Sequence, residues 1–122
     1  MSAKAPLQIG HPLPFLPPLP ISGTVLQVNY EWDNDKAAVN RRKHGVDFVD
    51  AIGALEDENR LEEVDVRLVY DEERIQVIGM ARDKVLFVVV TLPREDTCRI
   101  ISARKATRHE QDRYYAADPG TW

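Results

Sequence analysis

The sequence predicts an α+β domain: a mostly antiparallel sheet, a β-meander, with two N-terminal helices and one C-terminal helix. Three observations carry this. Tyr30 to Phe48 holds two sets of helix caps in tandem; Arg74 to Ala103 is rich in β-branched residues and broken by turn residues; and Thr107 with Glu110 makes a capping box after the last strand signal. With 122 residues, 43% hydrophobic and 30% charged, the chain suits one domain that buries about two thirds of its unfolded surface. We divide it into a proline-rich N-terminal extension over 1–24, a single domain over 25–118 and a tail over 119–122.

The extension contains Pro6, Pro12, Pro14, Pro17, Pro18 and Pro20, six of the eight prolines. Proline lacks a backbone donor and fixes φ, so Leu13 to Pro20 is expected to be extended or polyproline II. These prolines also interrupt any apolar run, and Lys4 is the one early cation, which does not fit a secretory signal. Leu13, Phe15, Leu16, Leu19 and Ile21 suit either an unstructured extension or a strap for a groove.

Val25 to Tyr30 alternates well enough for a first strand. Asp33 is a good N-cap, Asp35 lies in the first turn, and Arg41, Arg42, Lys43 and His44 crowd the last turn, where the helix dipole favours cations. Gly45 then supplies the left-handed residue that stops the helix, and Trp32 is placed to staple onto Ala37. The device recurs with Asp47 as cap, Asp50 as its partner and Val46 stapling onto Ala51; Phe48, Val49, Ile52 and Leu55 give this second helix its apolar face. Glu56 to Asp65 is polar, acidic and aperiodic, and reads as a loop or frayed helix end.

Strand signals follow at Val66 to Tyr70, Arg74 to Ala81 and Val85 to Leu92, separated by Asp71-Glu72-Glu73 and Arg82-Asp83-Lys84. Val85 to Val90 is apolar on both faces and is expected to be a central strand covered on each side. Pro93 to Asp96 turns the chain, and Thr97 to Ala103 returns it, with Ile100, Ser102 and Arg104 on one face by strict alternation. A final helix starts at the Thr107 cap and is ended by Pro119 and Gly120.

Net charge is −4, the wrong sign for a generic nucleic-acid binder, but the charge is unevenly spread. Eleven carboxylates lie between Asp47 and Arg74, while Arg41 to His44 and Arg99 to Arg113 are locally basic. Cys98 is the single cysteine, which excludes an internal disulfide and a thiolate metal site and suits a reducing compartment; it reads as a small buried hydrophobe. No apolar run approaches the ~20 residues of a membrane span, so a soluble protein is expected. HExxH, paired CxxC, Walker and GxGxxG motifs are all missing from the sequence, and we expect neither metal nor cofactor.

The order of residue types resembles the BrnT family of bacterial toxins. The pattern W-D-x-x-K-x-x-x-N-x-x-K-H-G-V-x-F is matched by Trp32, Asp33, Lys36, Asn40, Lys43, His44, Gly45, Val46 and Phe48. Glu72-Glu73-Arg74 with Gly79, and Ile100 to Thr107 followed by Glu110 and Tyr114, are similar to two further signatures, so the resemblance covers roughly residues 29 to 116. It implies the fold of RelE-type toxins and a cytoplasmic, metal-independent endoribonuclease that stops translation. It also implies a cognate ribbon-helix-helix antitoxin, BrnA, through which alone operator DNA is reached. A toxin-fold module with weak or no nuclease activity, acting as corepressor with its antitoxin, is the alternative; a plain partner-binding domain is a third reading.

Cleavage of this kind needs a base for the ribose 2′-OH, cations on the pentavalent phosphate and an acid for the leaving 5′-oxygen. On the resemblance we assign His44 or Glu72 as base, Arg74 and Arg104 as phosphate clamp, Lys43 as positioning charge or acid, and Lys36, Lys43, Lys105 and Arg108 as RNA contacts. Lys36, Asn40, Lys43 and His44 fall at i, i+4, i+7 and i+8 and share one polar stripe, which without the resemblance is a solvated helix face. Glu72 and Arg74 equally suit a surface salt bridge. The acidic tract around Glu56, Glu58, Glu62 and Glu63 is expected either to meet the basic antitoxin or to be a solvated face.

Overall fold

A computed structural model describes residues 28–65 and 74–117. Their elements, in chain order, are β1 (Asn29–Glu31), α1 (Asn34–His44), α2 (Phe48–Leu55), β2 (Leu61–Asp65), β3 (Arg74–Ala81), β4 (Lys84–Arg94), β5 (Thr97–Lys105) and α3 (Arg108–Ala116), and all but β2 match expected elements. Strands β2 to β5 form an antiparallel meander, and β1 joins the start of β5 in parallel, giving the order β1-β5-β4-β3-β2. The extension, the tail, the strand expected at Val66 to Tyr70 and the helix stop at Pro119-Gly120 lie outside the described residues.

Asp33 starts α1 by accepting from the backbone N–H groups of Asp35 and Lys36 at 2.8 and 3.1 Å, and Gly45, at φ 73°, ends it. The second cap differs from expectation. Asp47 occupies the N-cap of α2 but makes no side-chain cap bond, because its carboxylate pairs with Arg41 at 3.0 Å, and a charged donor outcompetes a neutral N–H. Val49 is 63% exposed, off the apolar face assigned to it, and Phe48, Ala51, Ala54 and Leu55 are buried instead. Small residues let the α2 backbone settle on β3, where a Cβ on Gly79 would lie 2.2 Å from the Ala54 carbonyl oxygen.

The stretch expected to be a loop or frayed end divides in two, with β2 pairing Leu61 to Ile78 and Asp65 to Arg74. Its alternation is masked by charge. Glu62 is 4% exposed and bound to the equally buried Arg60 at 2.6 Å, so it cannot belong to the acidic surface proposed for the antitoxin. Within the same tract Glu56 accepts from the Tyr30 hydroxyl at 3.0 Å, and Asp57 accepts from the Met80 N–H at 2.8 Å and from the Tyr114 hydroxyl. Glu56, Glu58 and Glu63 remain exposed.

Central β4 is covered on both sides, as its sequence requires. Leu86, Val88 and Val90 pack with Cys98, Ile100, Ala103 and α2, while Val85 and Phe87 face Ile78, Ala106 and Tyr114 on the α3 side. β4 also runs on to Arg94, into the expected turn, because a register irregularity between Thr91 and Arg94 removes Pro93 from the ladder. In β5, Ser102 opposes Val89 and Ile100 opposes Val90, which leaves Ile101 as a bulge. One extra residue switches the faces, so Ile100 and Ala103 share the main core and Ser102 and Arg104 lie on the opposite side. Strict alternation fails at that point.

Burial pushes the Cys98 thiol up to about 12, with Glu62 adding to the effect. Maleimide labelling of native protein is therefore expected to be at least about a hundredfold slower than in denaturant; equal rates would place the thiol at the surface.

Candidate active site

Asn40 decides how α1 meets the sheet. β1 stops pairing at Glu31 opposite Arg99, so the outer edge of β5 beyond that point has no strand beside it. The Asn40 side chain, 6% exposed, fills the gap. Its amide nitrogen donates to the carbonyls of Ala103 and Val46 at 2.8 and 3.1 Å, and its oxygen accepts from the Ala103 N–H at 3.1 Å. A carboxamide carries a donor and an acceptor like a peptide group, which is why it can substitute for a strand. Asn40 thus leaves the polar stripe and becomes its anchor.

Around that anchor Lys36, Lys43 and His44 stay exposed. With Asp35, Val39, Ile101 and Ser102 they border a cleft of about 310 Å³ between α1 and the edge of β5. Among the described residues neither lysine has a carboxylate partner. The cleft brings together a proton-transfer group and two unengaged cations, which is chemistry suited to a phosphodiester.

Arg104 stands near the end of β5 on the α3 side of the sheet. Its Nη1 and Nη2 donate to the two Glu110 carboxylate oxygens at 2.8 and 3.0 Å, Nη1 also donates to the Lys105 carbonyl at 3.2 Å, and the guanidinium lies 4.1 Å from the Phe87 ring centroid. Glu110 meanwhile accepts from the Thr107 N–H at 2.8 Å and so closes the capping box of α3. The Arg104 hydrogen bond holds the Glu110 carboxyl below its ordinary value of 4.5. A carboxyl lowered on folding contributes stability above its unfolded value and loses it as pH falls through the folded one. Melting curves of the protein and of Glu110→Gln should therefore differ at pH 7 and converge as pH falls through and below the ordinary carboxylate range; a gap that persists in strong acid would detach the effect from this ion pair.

Arg74 begins β3 on the same face, but the register carries Ile75 to Val90 to Ile100 and Ile78 to Phe87 to Arg104. Arg74 and Arg104 are thus two strands and about four residues apart, roughly 16 Å between Cα atoms. The expected clamp on one phosphate is not assembled. Lys105 lies close to the His44 end of α1, since it borders a second cavity of about 160 Å³ together with Gly45. Arg108 sits on the first turn of α3, 3.5 Å from Asp112, and Glu72 lies outside the described residues.

Sequence reasoning missed Val39, Ile101 and Ser102 as cleft walls, since the bulge depends on the partner strand. It also missed Glu110 as the partner of Arg104, although a capping-box carboxylate six residues on was a usable signal. The sequence profile of the family described as ribonuclease toxin, BrnT, of type II toxin-antitoxin systems matches residues 32–110. The chain belongs to the BrnT family. Helices α1 and α2, the first turn of α3 and every cleft residue lie inside the matched BrnT region, as do Arg74, Arg104 and Glu110. The 1.1 Å crystal structure of the Brucella abortus ribonuclease toxin, BrnT, is similar to this chain with a TM-score of 0.51 and 24% identity, over 67% of this chain and 100% of that one. At that identity the likeness is one of fold. No curated protein matches the chain. As a BrnT-family toxin of a type II system, the protein has a cognate antitoxin.

Proposed function

We propose that this toxin is a metal-independent endoribonuclease that cleaves RNA through attack of the ribose 2′-OH, with the scissile phosphate in the cleft between α1 and β5. The observation that carries it is the placement of His44, Lys43 and Lys36 around one cleft, with α1 fixed to the sheet by Asn40. His44 takes the 2′-OH proton, Lys43 with Lys36 offsets the charge that builds as the 2′-oxygen bonds to phosphorus, and the 5′-oxygen leaves with a proton from Lys43 or from water. Arg104 has two of its five N–H donors left after Glu110 and Lys105, and we assign these to a phosphate of the bound RNA. Arg74, Lys105 and Arg108 hold flanking RNA, and Glu72 is the other candidate base. The antitoxin is a ribbon-helix-helix protein that carries the pair to operator DNA, and the toxin acts in the cytoplasm. Among the described residues no helix is long and apolar enough to cross a membrane.

Incubation with RNA in EDTA should give fragments ending in 2′,3′-cyclic phosphate. Activity abolished by EDTA and restored by a divalent ion would overturn the reading. One observation favours a second reading, a weak nuclease acting as corepressor: the fork of Arg104 is already occupied by Glu110. Folded protein that leaves RNA intact yet tightens antitoxin binding to the operator would support it.

A further inference from the structure

We propose that the cavity between the Gly45-Val46 turn and the β3–β4 hairpin is a second phosphate subsite, for an RNA nucleotide flanking the scissile bond, with Lys84 as its main contact. This rests on the ribonuclease reading.

Among the described residues most arginines, Arg42 excepted, are engaged, whereas the lysines are not. Arginine after arginine is tied to a carboxylate, with Arg82 3.7 Å from Asp50, Arg104 on Glu110 and Arg60 on Glu62. All four described lysines, Lys36, Lys43, Lys84 and Lys105, have no carboxylate partner among the described residues. An unpaired lysine can meet a phosphate without first giving up an ion pair, and Lys is a compact charge on a flexible stem.

Topology lines these lysines up. Lys36 and Lys43 border the cleft, α1 ends at His44, and Gly45 next to it borders the adjoining cavity of about 160 Å³ together with Lys84 and Lys105. Lys105 pairs with Leu86, and Lys84 precedes Leu86 by two residues on the same face, so the two are diagonal neighbours about 7 Å apart. Asp50 and Asp83 also border this cavity. Arg82 faces Asp50, which leaves two free cations against Asp83. A strand of RNA with its scissile phosphate at His44 continues past Gly45 to these lysines, whereas a lone anion gains nothing from the alignment.

The test uses the full chain and a single-stranded 2′-O-methyl oligonucleotide, which offers no 2′-OH nucleophile, with affinity measured against salt concentration. Each phosphate contact on a single strand contributes about 0.7 to the slope of log K against log[salt]. Lys84→Ala is expected to lower the slope by about that amount and to weaken binding by roughly three- to tenfold at low salt. Arg113→Gln on α3 removes the same charge elsewhere and should keep the wild-type slope. If wild-type protein binds and cleaves RNA but Lys84→Ala and Lys84→Glu bind with unchanged slope, the subsite is refuted and the ribonuclease reading stands. Wild-type protein that neither binds nor cleaves RNA overturns both.

Discussion

Replacing His44 with alanine is expected to cut RNA cleavage by about 10² to 10⁴-fold, the usual contribution of a positioned general base, while the melting temperature stays within a few degrees of wild type. His44 is exposed at the last helical position of α1, outside both cores, so its loss removes little packing. The helix end is set one residue later by Gly45, whose N–H donates to the Arg41 carbonyl at 2.8 Å. Antitoxin binding should survive for the same reason. Lys43→Ala keeps the base and removes one cation, and a smaller loss, about tenfold, is expected. Cleavage by a folded His44→Ala protein at the wild-type rate would transfer the base to another residue, with Glu72 next in line.

Gly79→Ala is expected to destabilise the fold by about 3 kcal/mol or more, at the upper end for overpacking a core, and to show as a fall of ten degrees or more in melting temperature, on the order expected for a chain of this size. The added methyl would lie 2.2 Å from the Ala54 carbonyl oxygen and 2.9 Å from its carbonyl carbon. Both are helix backbone, so no rotamer change relieves the contact, and α2 itself must move. Gly53 is the matched control on the same helix, where a Cβ would meet only the Ala81 side chain at 3.4 Å and the Ala81 Cα at 3.6 Å. Gly53→Ala should be neutral or mildly stabilising through helix propensity. Equal melting temperatures for the two variants would mean that α2 does not pack this closely on β3.

What could be read from the sequence was what short segments determine by themselves. Asp33, Gly45 and the Thr107–Glu110 box act within a single turn of chain, and each lies where residue types alone place it. The central position of β4 followed in the same way from an apolar run with no polar face. Features that depend on a distant partner were hidden. The Ile101 bulge exists only against Val89 and Val90, the carboxylate of Glu62 is tolerated inside only because Arg60 meets it, and Asp47 abandons its cap for Arg41. The candidate site divided along the same line: Lys36, Lys43 and His44 come together because one helix carries them, while Arg74 and Arg104 are held apart by strand register.

Asn40 has one more consequence, for assembly. A strand edge with open N–H and C=O groups invites another strand to join it, and the outer edge of β5 past Arg99 would be such an invitation. With the Ala103 N–H and carbonyl both engaged by a side chain from the same molecule, that ladder is closed at its middle. Among the described strands, a segment of the antitoxin, or of a second copy of the toxin, that extends the sheet would therefore do so along β1 or β2, away from the edge of β5 that borders the cleft.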